Sequence, residues 1–599
     1  MQIPITGPAY VNESQDANYQ RCVNMYCTDL GDFGRGTTEG RSVKYGPLLP
    51  TGGVAELTDL SGRATRGIWK IGNNNFTIAV RDRNIYKLVV NDLTKTCTTL
   101  LIGTMSETDE QAVIRLAYNP FQCLIVNGST NGYLYNYNTT GRVIPGPIGG
   151  SGGDTYSLTI NGTAIYTNQP VSTALTLSAL VTQINLFTST TGITASQIVI
   201  GSGTYVQLKG AADSTITVVE SGTGFVSGTD GLTKTGGDFA SPIGALIVLD
   251  SGSDFLGAVD VAYLDGYFII ARPDSQIIQS SGINDGRTWN PINYTQVGTS
   301  PDNIIGLAVQ KEELWVFGSQ RTSIYYNAAN SPGFPLSARD GISMAIGCMS
   351  LASIIEFNNG IMLLDSSGNI VQTQTGDYLV NTTSGYQLQP VSTIPINKDI
   401  ADYSRIDDCK ACWYEYRGHM MAQYTFPSAN KTWVFDSTIG AWHERSSFNA
   451  LLSINGDHLC CYSTQSGTLV LMSGYKNGKI YYQSDKVYDD NGVSIPRIRT
   501  IGPINKEFVP LTIDELIIRM ETGNIPQGLD PQIILKYSND GAHTWSYDLP
   551  APVGKVGEYA KLINWNLRTL AREWFFEWSM YDPIPFSIID CSARITLGE

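Results

Sequence analysis

Two cysteines in the middle of the chain have the spacing of a metal-binding pair. Cys409 and Cys412 are separated by two residues, and His458, Cys460 and Cys461 follow further along the chain. Thiolate and imidazole groups spaced in this way are typical ligands of a structural zinc ion. The first pair runs directly into an apolar strand, ACWYEY, without the turn that such a site requires. We therefore predict no metal site and interpret these cysteines as ordinary thiols in or near a hydrophobic core.

Carboxylates that could act on a polysaccharide are present, but their spacing selects no catalytic pair. A glycosidase needs two carboxyl groups on opposite sides of a substrate cleft. The candidates are interpreted as solvated carboxylates in turns: Glu312, Asp365 and Asp436. A sialidase would in addition need a cluster of arginines to bind its substrate. The arginines considered for this role are scattered along the chain: Arg321, Arg339 and Arg417.

Two stretches resemble the Asp box of sialidase-type propellers. They are SGINDGRTW at 281–289 and SNDGAHTW at 538–545. In such a box the aspartate caps a tight turn, the glycine adopts a positive φ angle and the tryptophan fills the hairpin. The arrangement stabilises a hairpin and performs no catalysis, so we predict a structural role for both stretches.

Nucleotide-binding signatures are absent from the sequence. The Gly-rich stretch GRGTTEGR at 34–41 has neither a strand before it nor a helix after it, and a phosphate site of this type needs both. The chain has only four histidines, which limits general acid–base and metal chemistry. We therefore predict a protein that is not an enzyme, with no catalytic, cofactor-binding or metal-binding residues and no cofactor.

Composition and charge favour an all-β protein that does not read DNA sequence. Charged residues make up 16% and hydrophobic residues 42% of the chain, which also contains 61 glycines and 32 tyrosines. This composition is typical of strands joined by many turns. The net charge of −15 argues against a broad basic surface for DNA. It still allows DNA to pass without adhering, because like charges repel.

The N-terminal stretch MQIPITGPAYVNESQ has no basic segment followed by an apolar run, so we expect no secretory signal. We also expect no membrane span, because no stretch of the sequence approaches about 18 apolar residues. The ten cysteines are accordingly expected to be reduced thiols of a protein made in a cytosol.

A pattern of short apolar strands and polar turns repeats along the chain. The stretch 302–327 contains two apolar strands, each followed by a polar turn, and then a third strand. The pattern recurs around seven second-strand centres: Val80, Val126, Ile269, Val316, Leu363, Gln423 and Val470. Most steps between these centres are 46 or 47 residues, which is the period of a propeller blade. We predict a mainly β fold with a β-propeller of about seven blades, regular or distorted; evenly spaced hairpins of a β-sandwich are the alternative.

Several predicted turns contain residues that tolerate positive φ angles, as tight hairpins require. They are Asp265-Gly266, Asn359-Gly360, Ser367-Gly368 and Asn477-Gly478. Their positions between apolar runs support the prediction of repeated hairpins.

One step is much longer than the others and indicates an inserted module. The step of 143 residues between the second and third centres exceeds one period by about 96 residues. A hairpin is predicted to turn at Asn161-Gly162 inside this excess. The helix predicted after it has four apolar residues on one face: Leu177, Leu180, Val181 and Ile184. We predict a small α+β module at 146–244 that makes a contact at a tip or a side of the molecule.

The two ends of the chain do not follow the repeat. The C-terminal part contains long strands such as LTIDELIIRME, which favour a β-sandwich-like platform domain. Chain ends often meet in space, so we expect the N-terminal segment to pack against this platform. The predicted division is 1–60 for the N-terminal segment, 61–145 for the first propeller blades, 146–244 for the insert, 245–487 for the remaining blades and 488–599 for the platform.

Four segments give the chain a resemblance to a known family. They are QRCVNMYC at 20–27 with YGPLLPTGG at 45–53, the repeat stretch 302–327, GCMSLASIIEFNNGIMLLDSSGNIVQ at 347–372, and the final SIIDCSARITLGE. In their order and spacing they resemble the packaged-DNA stabilisation proteins of short-tailed bacteriophages, which are the tail nozzle or tail hub proteins. The resemblance covers most of the chain except the insert.

The resemblance implies a structural protein of the virion tail, made in the cytoplasm of the host bacterium. Six copies would form a ring below the portal and its adaptor, continue the DNA channel, help to retain packaged DNA, and anchor tail fibres or tailspikes. Genomic DNA would pass through the lumen without tight binding. The alternatives are a phage tail protein that binds a receptor or degrades a polysaccharide, and a carbohydrate-binding propeller of the host.

Overall fold

The structure is a computed structural model of the chain. It describes residues 1–599 except for these positions: 12–18, 30–44, 62–64, 72–75, 107–111, 121, 138–141, 145–154, 171–176, 201–202, 210–215, 224–245, 299–300, 331, 358–359, 374–385, 447–459, 464–469, 474–477, 508, 522, 560 and 598–599. Strands dominate the described part, and its few helices are short.

The N-terminal part of the chain forms short strands that are distributed between the two main parts of the fold. They are β1 (Gln2–Ile3), β2 (Tyr10–Val11), β3 (Tyr19–Gln20), β4 (Cys22–Val23), β5 (Met25–Asp29), β6 (Tyr45–Pro50) and β7 (Val54–Asp59). Strand β7 belongs to the propeller, whereas β1, β4, β5 and β6 join the sheets of the C-terminal domain.

The propeller begins with one complete blade and three strands of a second. Each is an antiparallel sheet whose strands pair in sequence order. The strands are β8 (Thr65–Lys70), β9 (Thr77–Arg81), β10 (Asn84–Asn91), β11 (Thr96–Thr104), β12 (Arg115–Tyr118), β13 (Gln122–Val126) and β14 (Gly132–Asn136).

An α+β module interrupts the second blade after β14. Its elements are β15 (Arg142–Ile144), β16 (Thr155–Ile160), β17 (Thr163–Pro170), α1 (Leu177–Leu186), α2 (Thr188–Thr191), β18 (Thr194–Ile200), β19 (Gly203–Lys209) and β20 (Val218–Ser221). Two three-stranded sheets, β15-β19-β18 and β17-β16-β20, enclose a core of their own with α1. Leu180 and Ile184 of α1 are buried in that core, as their spacing predicts. The module's sheets already include β15, ahead of residue 146.

The chain then completes the second blade and forms five more. Their strands are β21 (Leu246–Leu249), β22 (Asp260–Leu264), β23 (Tyr267–Ala271), β24 (Ile277–Gly282), β25 (Asp285–Gln296), β26 (Ile304–Gln310), β27 (Glu313–Gly318), β28 (Thr322–Asn327), β29 (Leu336–Met344), β30 (Ile355–Phe357), β31 (Gly360–Leu364), β32 (Ile370–Thr373), β33 (Leu388–Pro390), β34 (Lys410–Tyr416), β35 (His419–Phe426), β36 (Lys431–Asp436), β37 (Ala441–Glu444), β38 (Cys460–Ser463), β39 (Val470–Ser473) and β40 (Lys479–Gln483). Helix α3 (Ile394–Ala401) and 3-10 helices at Ser251–Ser253 and Leu351–Ser353 lie between strands.

The first strand of each blade faces the propeller axis, and successive first strands from β12 to β38 contact each other before β38 meets β8. In the seventh blade the strand order is β38-β39-β40-β7. The N-terminal strand β7 therefore supplies the outer strand of the last blade and closes the ring next to the first blade. Each of the seven centres found in the sequence lies in a second strand, and the predicted fold class is confirmed.

Tight turns and apolar packing explain why this sequence forms blades. Asp265 and Gly266 have φ angles of 47° and 92° in the hairpin between β22 and β23, the combination that short hairpins require. Gly368 is also at positive φ, 84°, whereas Asn359 and Asn477 lie outside the described residues. Between the fourth and fifth blades, Trp315 and Leu363 share one buried cluster, and burial of such a side chain is worth about 1.5–3 kcal/mol.

The C-terminal domain is a sandwich of two sheets. Its strands follow a small hairpin, β41 (Asp489–Asp490) and β42 (Val493–Ser494), and are β43 (Arg497–Ile504), β44 (Leu511–Glu521), β45 (Gln532–Ser538), β46 (Leu549–Pro552), β47 (Ile563–Ala571), β48 (Trp574–Met580) and β49 (Ser587–Leu597). One sheet has the order β47-β44-β49-β6-β5, with β1 also on β49. The other, β4-β43-β48-β45-β46, continues through β37 into the sixth blade and forms nine strands in all. Propeller and sandwich therefore share one sheet.

Candidate functional site

A cavity of about 540 Å³ lies on the propeller axis. The first strands of six blades, β8, β12, β22, β26, β30 and β34, line it. Its volume falls within the range of about 300–1,000 Å³ that small-molecule sites occupy in proteins. The cavity is therefore large enough to hold a small ligand.

An ion pair joins the walls of this axial cavity. Nε of Arg115 donates to Oδ1 of Asp260 over 2.8 Å, and Nη1 donates to the carbonyl oxygen of Ile354 over 3.4 Å. The other oxygen of Asp260 accepts from the backbone N–H of Leu307 at 2.7 Å. Burial lowers the pKa of Arg115, but the neighbouring acidic groups, Asp260 foremost and then Glu356, together raise it above its usual value. The pair ties the second, third, fourth and fifth blades together at the axis.

A second carboxylate, that of Glu356, also lines the cavity. Its Oε1 accepts from the backbone N–H of Val309 at 3.2 Å, and water reaches the side chain, which is exposed. Burial of the group among the surrounding strands nevertheless raises the pKa of the carboxyl, against the lowering effects of Val309 N–H and Arg115. Water therefore reaches the Glu356 carboxyl, but the surrounding strands solvate its charged form less well than bulk water does.

Aromatic side chains from four blades complete the lining: Trp69, Tyr118, Tyr263 and Trp413. Tyr118 and Trp413 are 40% and 39% exposed, so their rings present apolar surface to water. A Cβ at Gly67 would lie 1.8 Å from Cη2 of Trp69, so only glycine allows the indole to lie across its own strand. The cavity thus offers aromatic faces and one carboxylate beside a neutralised arginine.

A second group of charges, around the buried Glu444, lies where the N-terminal segment, the sixth blade and the sandwich meet. Glu444 of β37 accepts from Arg21 in two hydrogen bonds of 3.1 Å and from Nζ of Lys431 at 3.3 Å. Burial raises the pKa of the Glu444 carboxyl, but Arg21 and Lys431 together bring it below its usual value. These residues, with Tyr19 and Asp399, line a cavity of about 380 Å³.

Further polar side chains fix the N-terminal segment in this junction. The amide of Asn24 donates to the carbonyl oxygens of Ser446 and Pro496 over 2.9 and 2.7 Å. Arg499, which is fully buried, donates from Nε to the carbonyl oxygen of Ile5 over 2.8 Å. Because a buried carbonyl without a donor is costly, these contacts hold blade, N-terminal segment and sandwich in one arrangement.

The cysteine pair does not form a metal site among the described residues. Cys409 is a free, fully buried thiol, and burial raises its pKa well above the usual value. Cys412 is disulfide-bonded, so the prediction of reduced thiols is wrong for this residue; the prediction rested on compartment alone and took no account of which strands become neighbours. His458 and the side chains of Cys460 and Cys461 lie outside what the structure describes, and no cluster of three potential metal ligands occurs in the described part.

The candidate carboxylates serve their own turns. Oδ1 of Asp365 accepts from the backbone N–H groups of Ser367 and Asn369 over 2.9 and 2.7 Å. Glu312 is exposed. Asp436 is buried, with its Oδ2 2.6 Å from Nδ1 of His419, and Asp365 is buried as well, so the interpretation of these two as solvated carboxylates is wrong. Neither residue lines the axial cavity, and the stretch 34–41 lies outside the described residues.

Both Asp boxes form capped turns, but only the second has its glycine at positive φ as predicted, with Gly541 at 74°. In the first box Asn284 takes the positive φ angle, 53°, and Gly286 does not. Oδ1 of Asp285 accepts from the backbone N–H of Arg287 at 3.0 Å, and the buried Trp289 donates from Nε1 to the carbonyl oxygen of Gly286 over 2.8 Å. In the sandwich, Oδ1 of Asp540 accepts from the N–H of Thr544 at 2.9 Å. These hydrogen bonds hold hairpins, as expected of a structural device.

The axial residues were not singled out by the sequence patterns. Arg115, Asp260 and Glu356 each stand as a single charge in an otherwise apolar first strand, in VIRLAY, AVDVAY and SIIEF. A lone charge in a strand that packs on both faces must be paired or face a cavity. This signal is present in the sequence and would have identified all three.

The comparisons with known proteins agree with the two-part fold. A family model described as Bacteriophage P22 Gp10, beta-propeller, matches residues 178–453, and a second, described as Bacteriophage P22 Gp10, beta-sandwich, matches residues 504–596. Together these ranges cover more than half of the chain. No helix in the described residues is long and apolar enough to cross a membrane.

Likenesses to other proteins are weaker. No curated protein sequence matches the chain. Among solved structures, Raptor from Chaetomium thermophilum is similar at a TM-score of 0.35 and 8% identity, over 73% of this chain and 29% of that one. The chain thus spans less than a third of Raptor, and this likeness carries no argument. The family matches decide the assignment and confirm the resemblance found in the sequence: the chain belongs to the phage P22 Gp10 family, structural tail proteins that stabilise packaged DNA.

Proposed function

We propose that this protein is the tail nozzle of a short-tailed phage. Six copies form a ring below the portal and its adaptor, continue the DNA channel, help to retain packaged DNA and anchor fibres or spikes. The protein is made in the host cytoplasm, ends up in the virion tail and performs no catalysis. The observation that supports this best is the match of both domains to one family of phage tail proteins.

The rigid connection between propeller and sandwich supports a role in the wall of the DNA channel. The sheet that runs from the sixth blade through β4 into the sandwich joins the two parts by backbone hydrogen bonds. The buried contacts of Arg21, Asn24 and Arg499 further restrict their relative motion. A ring that resists the pressure of packaged DNA needs rigid blocks with rotational self-association.

The charge supports passage of DNA without adhesion. Each chain carries −15, so six copies would carry about −90. Walls of the same sign as the phosphates lower the affinity for DNA, because few counterions can be released on contact.

The inserted module is proposed to make the outward contact. It has its own core and leaves and re-enters the propeller between β14 and β21, so it can project without disturbing the blade. The division of the chain at 1–60, 61–145, 146–244, 245–487 and 488–599 is part of this proposal: blades form the body, and the insert forms a tip or side contact. The last segment forms the platform with the first, except for β7, which belongs to the seventh blade.

Mass measurement by light scattering after size exclusion, with negative-stain images of the same fractions, tests the proposal. The full chain is measured alone and mixed with portal that carries its adaptor. We expect six-fold rings, either alone or on the portal complex. A monomer that does not bind the portal complex but binds or shortens a surface polysaccharide would contradict the proposal and favour a receptor-binding or polysaccharide-degrading protein.

A further inference from the structure

The axial cavity contains a carboxylate with unused bonding capacity. Oε1 of Glu356 accepts one backbone hydrogen bond, from Val309. The part of the chain that the structure describes provides no ion pair for Glu356. The nearby guanidinium of Arg115 donates to Asp260 and Ile354 instead. One negative charge at the axis is therefore left without a direct counter-charge from the described residues.

The charges of the cavity select against two classes of ligand. An anion would meet an arginine that Asp260 already neutralises, and would be repelled by Glu356. A divalent metal would need several oxygen ligands at one point, and the described residues contain no cluster of three acidic, histidine or cysteine side chains. The remaining complementary class is an organic cation that needs one carboxylate and large contact surfaces.

The walls of the cavity match such a cation. Four aromatic residues line the same space as Glu356, and aromatic faces attract ammonium groups through the ring quadrupole. Aliphatic carbons attached to the ammonium group would cover the exposed surfaces of Tyr118 and Trp413, which are otherwise in contact with water. Because burial raises the pKa of the Glu356 carboxyl, a bound cation would relieve the cost of ionising it.

We propose that the axial cavity of the propeller binds a primary aliphatic ammonium group, with the carboxylate of Glu356 as its counter-ion and the aromatic side chains of the first strands as its walls. Two sources have this chemistry: a free aliphatic diamine, and the lysine side chain of a partner protein. The inference is independent of the nozzle proposal, since it depends only on the interior of one propeller.

Isothermal titration calorimetry on the full chain tests the inference. One arm uses 1,4-diaminobutane, and the other uses Nα-acetyl-lysine methylamide, which presents the lysine side chain as a polypeptide does. Glu356→Gln keeps the acceptor for Val309 N–H but removes the charge, and is expected to weaken binding at least about tenfold. Glu521→Gln removes an exposed carboxylate at the end of β44 and serves as the matched control; it is expected to leave binding unchanged.

A further variant, Trp413→Ala, distinguishes the aromatic walls from the charge. It is expected to weaken binding by about threefold, because an exposed cation–π contact is weak. Tighter binding of the diamine would identify a free amine as the source, and tighter binding of the lysine derivative would identify a partner side chain. No binding of either compound, or equal binding by wild type and Glu356→Gln, would overturn the inference.

Discussion

Glu444 accepts both hydrogen bonds from the guanidinium of Arg21, Nε to Oε1 and Nη2 to Oε2, each over 3.1 Å. Arg21 precedes β4, and Glu444 ends β37, the outer strand of the sixth blade. Backbone pairing continues at the same place, where Glu444 is the parallel partner of Val23. One residue thus anchors the N-terminal segment to the propeller through both its side chain and its backbone.

Replacement of Glu444 by glutamine is expected to destabilise the protein by about 3 kcal/mol, because it leaves Arg21 without its buried counter-charge. The midpoint of urea unfolding measures the loss. Asp407→Asn is the matched control, since its pair with Arg405 has side chains that are 52% and 57% exposed; we expect almost no change there. If Glu444→Gln shifted the unfolding midpoint as little as Asp407→Asn does, the pair of Arg21 and Glu444 would not contribute to stability.

Acid is expected to destabilise the sixth blade through His443. Burial, Arg445 and His419 lower the pKa of this histidine from 6.5 to about 3. The unfolded chain therefore takes up a proton that the folded chain refuses, so stability is present above pH 6.5 and is lost as the pH falls towards 3. The loss should be about 1.4 kcal/mol per pH unit within that window.

The variant His443→Leu tests this contribution by thermal unfolding at a series of pH values. Nε2 of His443 has no hydrogen-bond partner in the described structure, so an apolar side chain is expected to be tolerated. The variant should lose less stability than the wild type between pH 6.5 and 4. His543→Asn, at an exposed position, should retain the wild-type slope, and an unchanged slope in His443→Leu would contradict the assignment.

Glu356 is expected to have the opposite pH dependence. Its pKa is raised in the folded protein by burial, so its contribution to stability is present below the unfolded pKa and is lost as the pH rises through the folded value. Glu356→Gln should therefore raise the melting temperature relative to wild type at pH 7.5 and have little effect near pH 4. The gain in the free energy of unfolding at pH 7.5 should be less than about 1 kcal/mol, because water screens the group. Thermal scans at both pH values, with Glu521→Gln alongside, measure the difference. A variant that is less stable than wild type at pH 7.5 would refute it.

The sequence was sufficient to predict the blades because their determinants are local. Alternating apolar residues around each centre, together with pairs such as Asp265-Gly266, specify a hairpin without reference to the rest of the chain. The helix of the insert was also predictable, since Leu180 and Ile184 lie on one face at any orientation of the module.

The junction and the axial cavity depend on contacts between distant parts of the chain. Arg21 and Glu444 are 423 residues apart, and Arg115 and Asp260 are 145 apart. Strand β4 has only two residues, too few to show a period, yet it joins the blade to the sandwich. The disulfide of Cys412 escaped prediction for the same reason, because cysteine spacing in sequence does not reveal which strands become neighbours.

Removal of the insert is expected to leave a folded core. Strand β14 pairs directly with β21, from Gly132 opposite Leu249 to Tyr135 opposite Leu246, so the second blade is complete without the module. Deleting 142–244 and closing the gap with a short Gly/Ser linker should preserve the main thermal transition. The control deletion, 142–249, also removes β21 and should lower the unfolding temperature by exposing the blade edge. Loss of the main transition in the first deletion would mean that the module is part of the propeller core.

Duplex DNA is expected to bind the full chain poorly. The net charge is −15, and the arginines that are most deeply placed, such as Arg497 and Arg499, are buried and bonded within the protein. Because the 54 Asp and Glu residues outnumber the 39 Lys and Arg residues, affinity for duplex DNA should be weak and depend little on salt. Fluorescence anisotropy of a short labelled duplex, at physiological and at lower ionic strength, measures both quantities. Tight binding that falls steeply with added salt would show a basic DNA-binding surface and would contradict a channel wall that lets DNA slide past.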